Sequence, residues 1–471
     1  MADNNITPGN RDLISPLVRN VVSTSFDKLP LEAIAACKAS VLDCIAATIA
    51  GSSAPGVAET LTQLQFWGGR EESTVAIFGN RLPAHNAALV NVLMGHALEL
   101  DDAHYPAIVH PTTPTLWSAL ATAEAIGGCS GKRLIEAICS SVDLMCRLAL
   151  AGPKTIDYGY HTALYSIFGA TTASAKLRRL DEQKMHDALG ISFAQAAATV
   201  QAGIDGALVK RLQPAFNTCN GIKAVLFAQA GITGVSKIIS GDFGLYRLFN
   251  RGECNEQHLL DGLGSRFLGS ELSIKRYPTS RCSHAAIEGT LSLVHKYDLK
   301  PHQIAKVVVE VQAGCFKREH RPYDPFTGTP QVAAQFSIDY AVAAALLWRV
   351  VFIEQISDKS ALDPRAIELS RKVEIRMNER ETGPTPYLPV NVTIQLTSGA
   401  EMAITVRQLR GSPQDPLTWD EIVVERLERC LPYSAVPIPR KNVIELIKLV
   451  ENLEHVSDVR ALIALLVPSN D

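Results

Sequence analysis

Residues 31–50 read LEAIAACKASVLDCIAATIA. Ile34, Cys37, Val41, Leu42, Cys44, Ile45 and Ile49 recur at three- and four-residue steps, and Gly51 follows as a stop, so the stretch predicts a helix. The same rhythm returns in residues 83–102, 114–126, 131–150, 166–177 and 187–200, punctuated by Gly and Pro. Ala-rich faces of this kind let helices pack closely. The chain from residue 30 to about residue 250 therefore predicts a packed helical body.

Beyond about Ser270 the pattern changes. Residues 306–311 (KVVVEV), 372–377 (KVEIRM), 390–396 (VNVTIQL) and 402–406 alternate in period two with β-branched residues, and a Ser398-Gly399 turn separates the last two. Residues 285–297 and 332–354 read as helices, which predicts an α+β unit with a small antiparallel sheet. Residues 419–467 return to helical spacing and are expected to rejoin the first body. The expected fold is mostly α: a large, discontinuous all-helical domain (residues 1–270 and 415–471) and a smaller α+β domain (residues 271–414).

Composition fits this picture. A chain of 471 residues suggests about three folding units, or two with one large. Charged residues make up 20% and the hydrophobic set 47%, as in an ordinary globular protein. Forty-five Lys and Arg against 48 Asp and Glu leave a formal charge of −3, so no global basic field draws nucleic acid or anionic lipid. Mean hydropathy is +0.09, yet no apolar run is expected to reach the roughly 18–20 residues of a membrane span. The best candidate, residues 340–348, is cut by Arg349. The polar N-terminus MADNNITPGNRD resembles neither a signal peptide nor a presequence, so a soluble intracellular protein, in the cytoplasm, is expected. The ten cysteines show no C-x-x-C spacing, which leaves zinc, redox and iron–sulfur motifs without support and predicts buried free thiols.

Four polar islands interrupt the apolar text. The densest, residues 95–114 (GHALELDDAHYPAIVHPTTP), carries His96, Glu99, Asp101, Asp102, His104 and His110 within fifteen residues, between two helical windows. It reads as a helix end with capping aspartates, as a general acid–base site in which an aspartate orients an imidazole, or as a metal site. The histidine spacings of eight and six lack the i,i+4 pair that places two ligands on one helix face. Residues 158–166 (YGYHTALYS) present His161 before an apolar helix. Residues 209–221 (VKRLQPAFNTCNG) read as a Pro- and Asn-containing loop behind Lys210 and Arg211, either a solvated basic edge or an anion site at a helix start. Residues 274–286 (IKRYPTSRCSHAA) place Lys275, Arg276 and Arg281 beside His284 at the junction where the pattern changes. They either bridge the domains or bind an anion there.

Taken in order, these islands resemble the MmgE/PrpD family. The resemblance runs from Leu42-Asp43-Cys44-Ile45-Ala46 and Gly79-Asn80 through Gly95-His96, Leu100-Asp101-Asp102, His110-Pro111 and Gly159-Tyr160-His161. It continues in Lys210-Arg211-Leu212, Lys275-Arg276-Tyr277-Pro278, Ser283-His284-Ala285-Ala286-Ile287, Ala334-Gln335-Phe336-Ser337 and Tyr340-Ala341. It implies a homodimer that works without metal or organic cofactor. It also implies an active site between the domains at Asp101, His110, His161, Lys210 and Lys275. The family includes 2-methylcitrate dehydratase, cis-aconitate decarboxylase and an iminodisuccinate epimerase.

The expected function is thus a lyase that moves a proton beside a carboxylate of a small polycarboxylic acid. Lys210, Lys275 and Arg211 would neutralise substrate carboxylates, and Asp101 would orient one of the two catalytic imidazoles, His110 and His161. An epimerase of an aminodicarboxylate and a non-catalytic dimeric scaffold are the alternatives. Two departures bear on substrate choice: Ser280, where the decarboxylase-type pattern has histidine, and Gln213, where many relatives have histidine.

Overall fold

The computed structural model describes residues 12–379 and 385–467, so of the N-terminal segment read above only Asp12 is included. Leu31–Gly51 is a single helix in which every residue from Ser40 to Gly51 is buried. Ala84–Ala97, Gly131–Ala151 and the π-helical stretch Ile422–Glu428 pack around it. Ala84–Ala97 in turn lies against Thr112–Ala125 and Val209–Gln229, and Ser166–Leu177 fills the space behind. Leu417 to Leu466 share one hydrophobic core with Leu13 to Ile274, so both ends of the chain build the helical body.

The expectation that no stretch is long and apolar enough to span a membrane fails at Leu31–Gly51, which meets that length and composition. Its apolarity is used inward, because most of the helix, and all of it from Ser40 to Gly51, is buried inside the protein. Gly51 marks how tightly: a Cβ there would run into the backbone carbonyl of Met94, which cannot yield as a side chain would. Gly51→Ala is expected to destabilise the chain by about 1–3 kcal/mol in urea unfolding. A change near zero would mean that the two helices separate freely.

The smaller unit centres on four strands in the order Val373–Met377, Ile304–Val311, Val390–Leu396 and Glu401–Val406. The helix Arg281–Tyr297 covers one face, with Gly289 seated against Val392 and Val406. The sheet is mixed, not purely antiparallel, because Ile304–Val311 pairs in parallel with Val373–Met377. Parallel pairing needs a crossover. The helices between those two strands, Ile338–Trp348 among them, supply it. Ala103 and Tyr105, from the loop after Ala84–Ala97, belong to this second core and bring the densest polar island to the junction.

Three other expectations shift. The window 187–200 is helical only over Glu182–Phe193, started by the Asp181 side chain on the Lys184 N–H at 2.8 Å. Residues 332–354 split into Pro330–Gln335 and Ile338–Trp348 around the capping Ser337. The expected loop over residues 209–221 is the first half of the helix Val209–Gln229 with Pro214 inside it. Asn217, which reads locally as a loop former, instead donates its amide to the carbonyls of Ala163 at 3.0 Å and Ala197 at 2.8 Å. Tertiary bonds thereby offset the hydrogen bond that Pro214 cannot make.

Candidate active site

A cavity of about 700 Å³ opens at the junction of the two units. His110, His161, Lys210 and Lys275 line it together, with Glu99 and Ser280. Asp101 does not reach the cavity and lies behind His110. Arg211 is also absent from the lining. Its guanidinium is buried and donates to the Pro55 carbonyl at 3.1 Å and to the side-chain oxygens of Gln331 at 3.1 Å and Gln335 at 3.2 Å. It ties the first body to the second, so it is neither the solvated basic edge nor the substrate-carboxylate ligand that the sequence reading expected. Gln213 likewise turns away and clamps the backbone of Thr199, accepting at 2.5 Å and donating at 3.1 Å.

The centre is held by two residues that the sequence reading placed in the island without a role. The helix Ala84–Ala97 ends after His96, and Glu99 adopts φ of 53°, left-handed backbone that a non-glycine residue enters only when its surroundings hold it there. This turn directs the Glu99 carboxylate between two ammonium groups: it bridges Lys210 by a short ion pair and Lys275 at 3.2 Å. Lys275 also donates to the Glu99 carbonyl at 3.1 Å. A two-way backbone ladder between Ala103 and Ser273, at 3.0 and 2.9 Å, fixes the segment that carries Lys275 to the acidic loop. Local sequence carried no signal for this, since a left-handed Glu looks like any other.

His96 connects the charges. Its Nδ1–H donates to Asp101 at 2.8 Å, so its Nε2 accepts from the Lys210 ammonium at 3.0 Å. The aspartate thus orients His96 first, and its other oxygen lies 3.6 Å from His110 Nδ1. His110 donates that Nδ1–H to the Asp102 carbonyl at 2.8 Å, which leaves Nε2 as a free acceptor. His161 is the reverse case. Its Nδ1 accepts the Ala163 N–H at 3.1 Å, so the neutral ring carries its proton on Nε2. The two imidazoles of the cavity therefore hold opposite tautomers, one poised to take a proton and one to give it.

Burial drives the electrostatics. It lowers His96 to about 4, against the pull of Asp101, and lowers His110 and His161 to about 3 each. It lowers Lys275 to about 8 and Lys210 well below the usual lysine value, and pushes Asp102 up to about 8. Asp101 is pushed up by burial but held below the carboxylate range by His96 and His110. Because the folded chain keeps these imidazoles neutral where the unfolded chain protonates them at 6.5, their contribution to stability is complete above pH 6.5 and is lost as pH falls towards 3. The difference in unfolding free energy between the native chain and His161→Gln should shrink as pH drops from 6.5 to 4 and stay flat above 7. An equal pH dependence in the two proteins would show that burial does not perturb His161.

His96, Asp101 and His110 offer ligand atoms within 4.8 Å of one another, a grouping that the spacing of His96, His104 and His110 did not suggest. All three are engaged in the hydrogen bonds above, and the nearby Lys210 and Lys275 ammonium groups oppose a cation. His104 caps its own turn by accepting the Ala107 N–H at 3.2 Å.

A helical body and an α+β unit thus meet at a cavity lined by two imidazoles and two buried lysines. The chain belongs to the MmgE/PrpD family: residues 16–258 match the MmgE/PrpD N-terminal domain and residues 277–450 the C-terminal domain. Its relatives include the cis-aconitate decarboxylase of Aspergillus terreus, 26% identical over 99% of this chain and 97% of that protein. The cis-aconitate decarboxylase-like protein oryM of Aspergillus oryzae is 25% identical over 93% and 94%. Human cis-aconitate decarboxylase is 23% identical over 82% of this chain and 80% of its own length.

Proposed function

We propose that the chain is a cofactor-independent lyase acting on a small polycarboxylic acid of the citrate or aconitate type. The observation that carries this reading is the Lys210–Glu99–Lys275 bridge beside two cavity imidazoles of opposite tautomer. Departure of an α-proton or of CO₂ leaves an electron pair that spreads onto the adjacent carboxylate, and the two ammonium groups stabilise that charge in a low-dielectric site.

The atoms balance for both lyase outcomes. In dehydration, His110 Nε2 takes the α-proton and His161 Nε2–H protonates the departing hydroxyl. In decarboxylation of an aconitate-type trianion, the C–C bond to the β,γ-unsaturated carboxylate breaks and its electron pair shifts through the allyl system. The far α-carbon then takes one proton, giving CO₂ and an unsaturated dianion, so only the proton donor is required.

The test is NMR in D₂O with citrate, 2-alkylcitrates, cis-aconitate and iminodisuccinate. Loss of water or CO₂ supports the lyase. Deuterium incorporation with inversion alone would replace it by an epimerase, and absence of both turnover and binding by a scaffold.

A further inference from the structure

Among the described residues four arginines are fully buried, and three are tied to oxygen acceptors. Arg147 pairs with Asp143 at 2.8 Å and donates to three carbonyls; Arg426 pairs with Asp43 at 2.5 Å; Arg211 holds one carbonyl and two glutamine side chains. Arg281 differs. It is only 6% exposed and lines the active-site cavity, yet it forms no ion pair, and its Nε is buried without a partner.

What surrounds Arg281 orients it without neutralising it. His284 donates Nε2–H to the Thr279 carbonyl at 3.3 Å, so its Nδ1 is the lone pair that accepts from Arg281 Nη1 at 3.1 Å. The guanidinium plane lies 3.9 Å from the centre of the Tyr105 ring. The nearby Glu288 is turned towards Arg276, at 3.9 Å. Ser280, the residue just before it, lines the same cavity, accepts a long 3.4 Å contact from the Cys282 N–H and gives its hydroxyl hydrogen bond to the buried Glu319 carboxylate, so it adds no free donor beside Arg281. A buried cation costs several kcal/mol unless it is paired. A guanidinium fork fixed in this way matches a carboxylate in two-point contact.

We propose that Arg281 clamps a substrate carboxylate other than those met by Lys210 and Lys275, and so makes the site selective for tricarboxylates over dicarboxylates. This rests on the polycarboxylate reading of the site but not on which bond is broken. The lysines already share the Glu99 charge, whereas Arg281 has no protein anion of its own. A third carboxylate is the group that completes it.

Calorimetric titration of the full chain with two unreactive acids, propane-1,2,3-tricarboxylate and glutarate, tests the clamp. The native chain should prefer the tricarboxylate by at least about tenfold, since a charge-assisted contact contributes about 1.5–3 kcal/mol. Arg281→Met should weaken the tricarboxylate about 10- to 100-fold and glutarate less than about threefold, and Arg281→Lys should fall between. The melting temperature of Arg281→Met should stay level or rise, because an unpaired buried charge has been removed. Equal loss for both acids, no loss, or no binding of either acid by the native chain overturns the clamp. If the discrimination holds while no acid in the NMR panel is turned over, the clamp stands and the lyase reading falls. If cis-aconitate is turned over but Arg281→Met leaves the discrimination intact, the reverse is true.

Discussion

Removing either cavity imidazole is expected to lower kcat by at least about a hundredfold, in His161→Ala and in His110→Ala alike, while the protein stays folded. His161 contributes to the fold mainly by accepting the Ala163 N–H, a cap worth about 1 kcal/mol, so its loss leaves the helical body intact. Its other nitrogen faces the cavity, where no neighbour duplicates its proton. His110 is anchored by its Nδ1–H on the Asp102 carbonyl, and the variant likewise loses one hydrogen bond. The tautomers sharpen the expectation. If the reaction is a decarboxylation, which needs only a donor, His161→Ala should suffer more than His110→Ala; a dehydration should penalise both. Steady-state turnover of whichever acid the NMR panel identifies, with thermal melts of each variant, decides the matter. Near-normal kcat in a folded variant would remove that histidine from the chemistry.

The second large effect concerns the scaffold. Arg426, near the end of the chain, reaches the fully buried Asp43 of Leu31–Gly51 and also donates to the Leu100 carbonyl at 2.8 Å, next to Asp101. Arg426→Met leaves an uncompensated carboxylate in the core and frees the backbone that carries the acidic loop. The expected loss is about 3–5 kcal/mol in urea unfolding. The double variant Arg426→Met/Asp43→Leu should recover part of it, since replacing both partners by apolar groups removes the stranded charge. Loss below about 1 kcal/mol in the single variant would show that water reaches Asp43 and that the pair is dispensable.

Much of the architecture was legible because its causes are local. VNVTIQL alternates cleanly and is the strand Val390–Leu396; the apolar steps of residues 31–50 give the helix Leu31–Gly51. The polar islands were legible as islands, because charged residues inside Ala-rich text have few places to go except a cleft. Their roles were less so. Lys210 and Arg211 are adjacent, yet one reaches the cavity and the other the domain seam, since neighbours in a helix diverge by about 100°. The parallel strand pair and the helix through Pro214 depended on what crosses over or packs against them.

The sequence by itself determined the fold class, the family and the polar islands that interrupt its helices, because periodicity, composition and motif order are carried by single segments. Only the tertiary structure decided that Glu99 bridges the two lysines, that Asp101 acts first on His96, that the two histidines carry opposite tautomers, and that Arg281 has no anion of its own. Each of these is a relation between groups far apart in the chain. Such relations are set by which side chains the packed core leaves within hydrogen-bonding reach of one another.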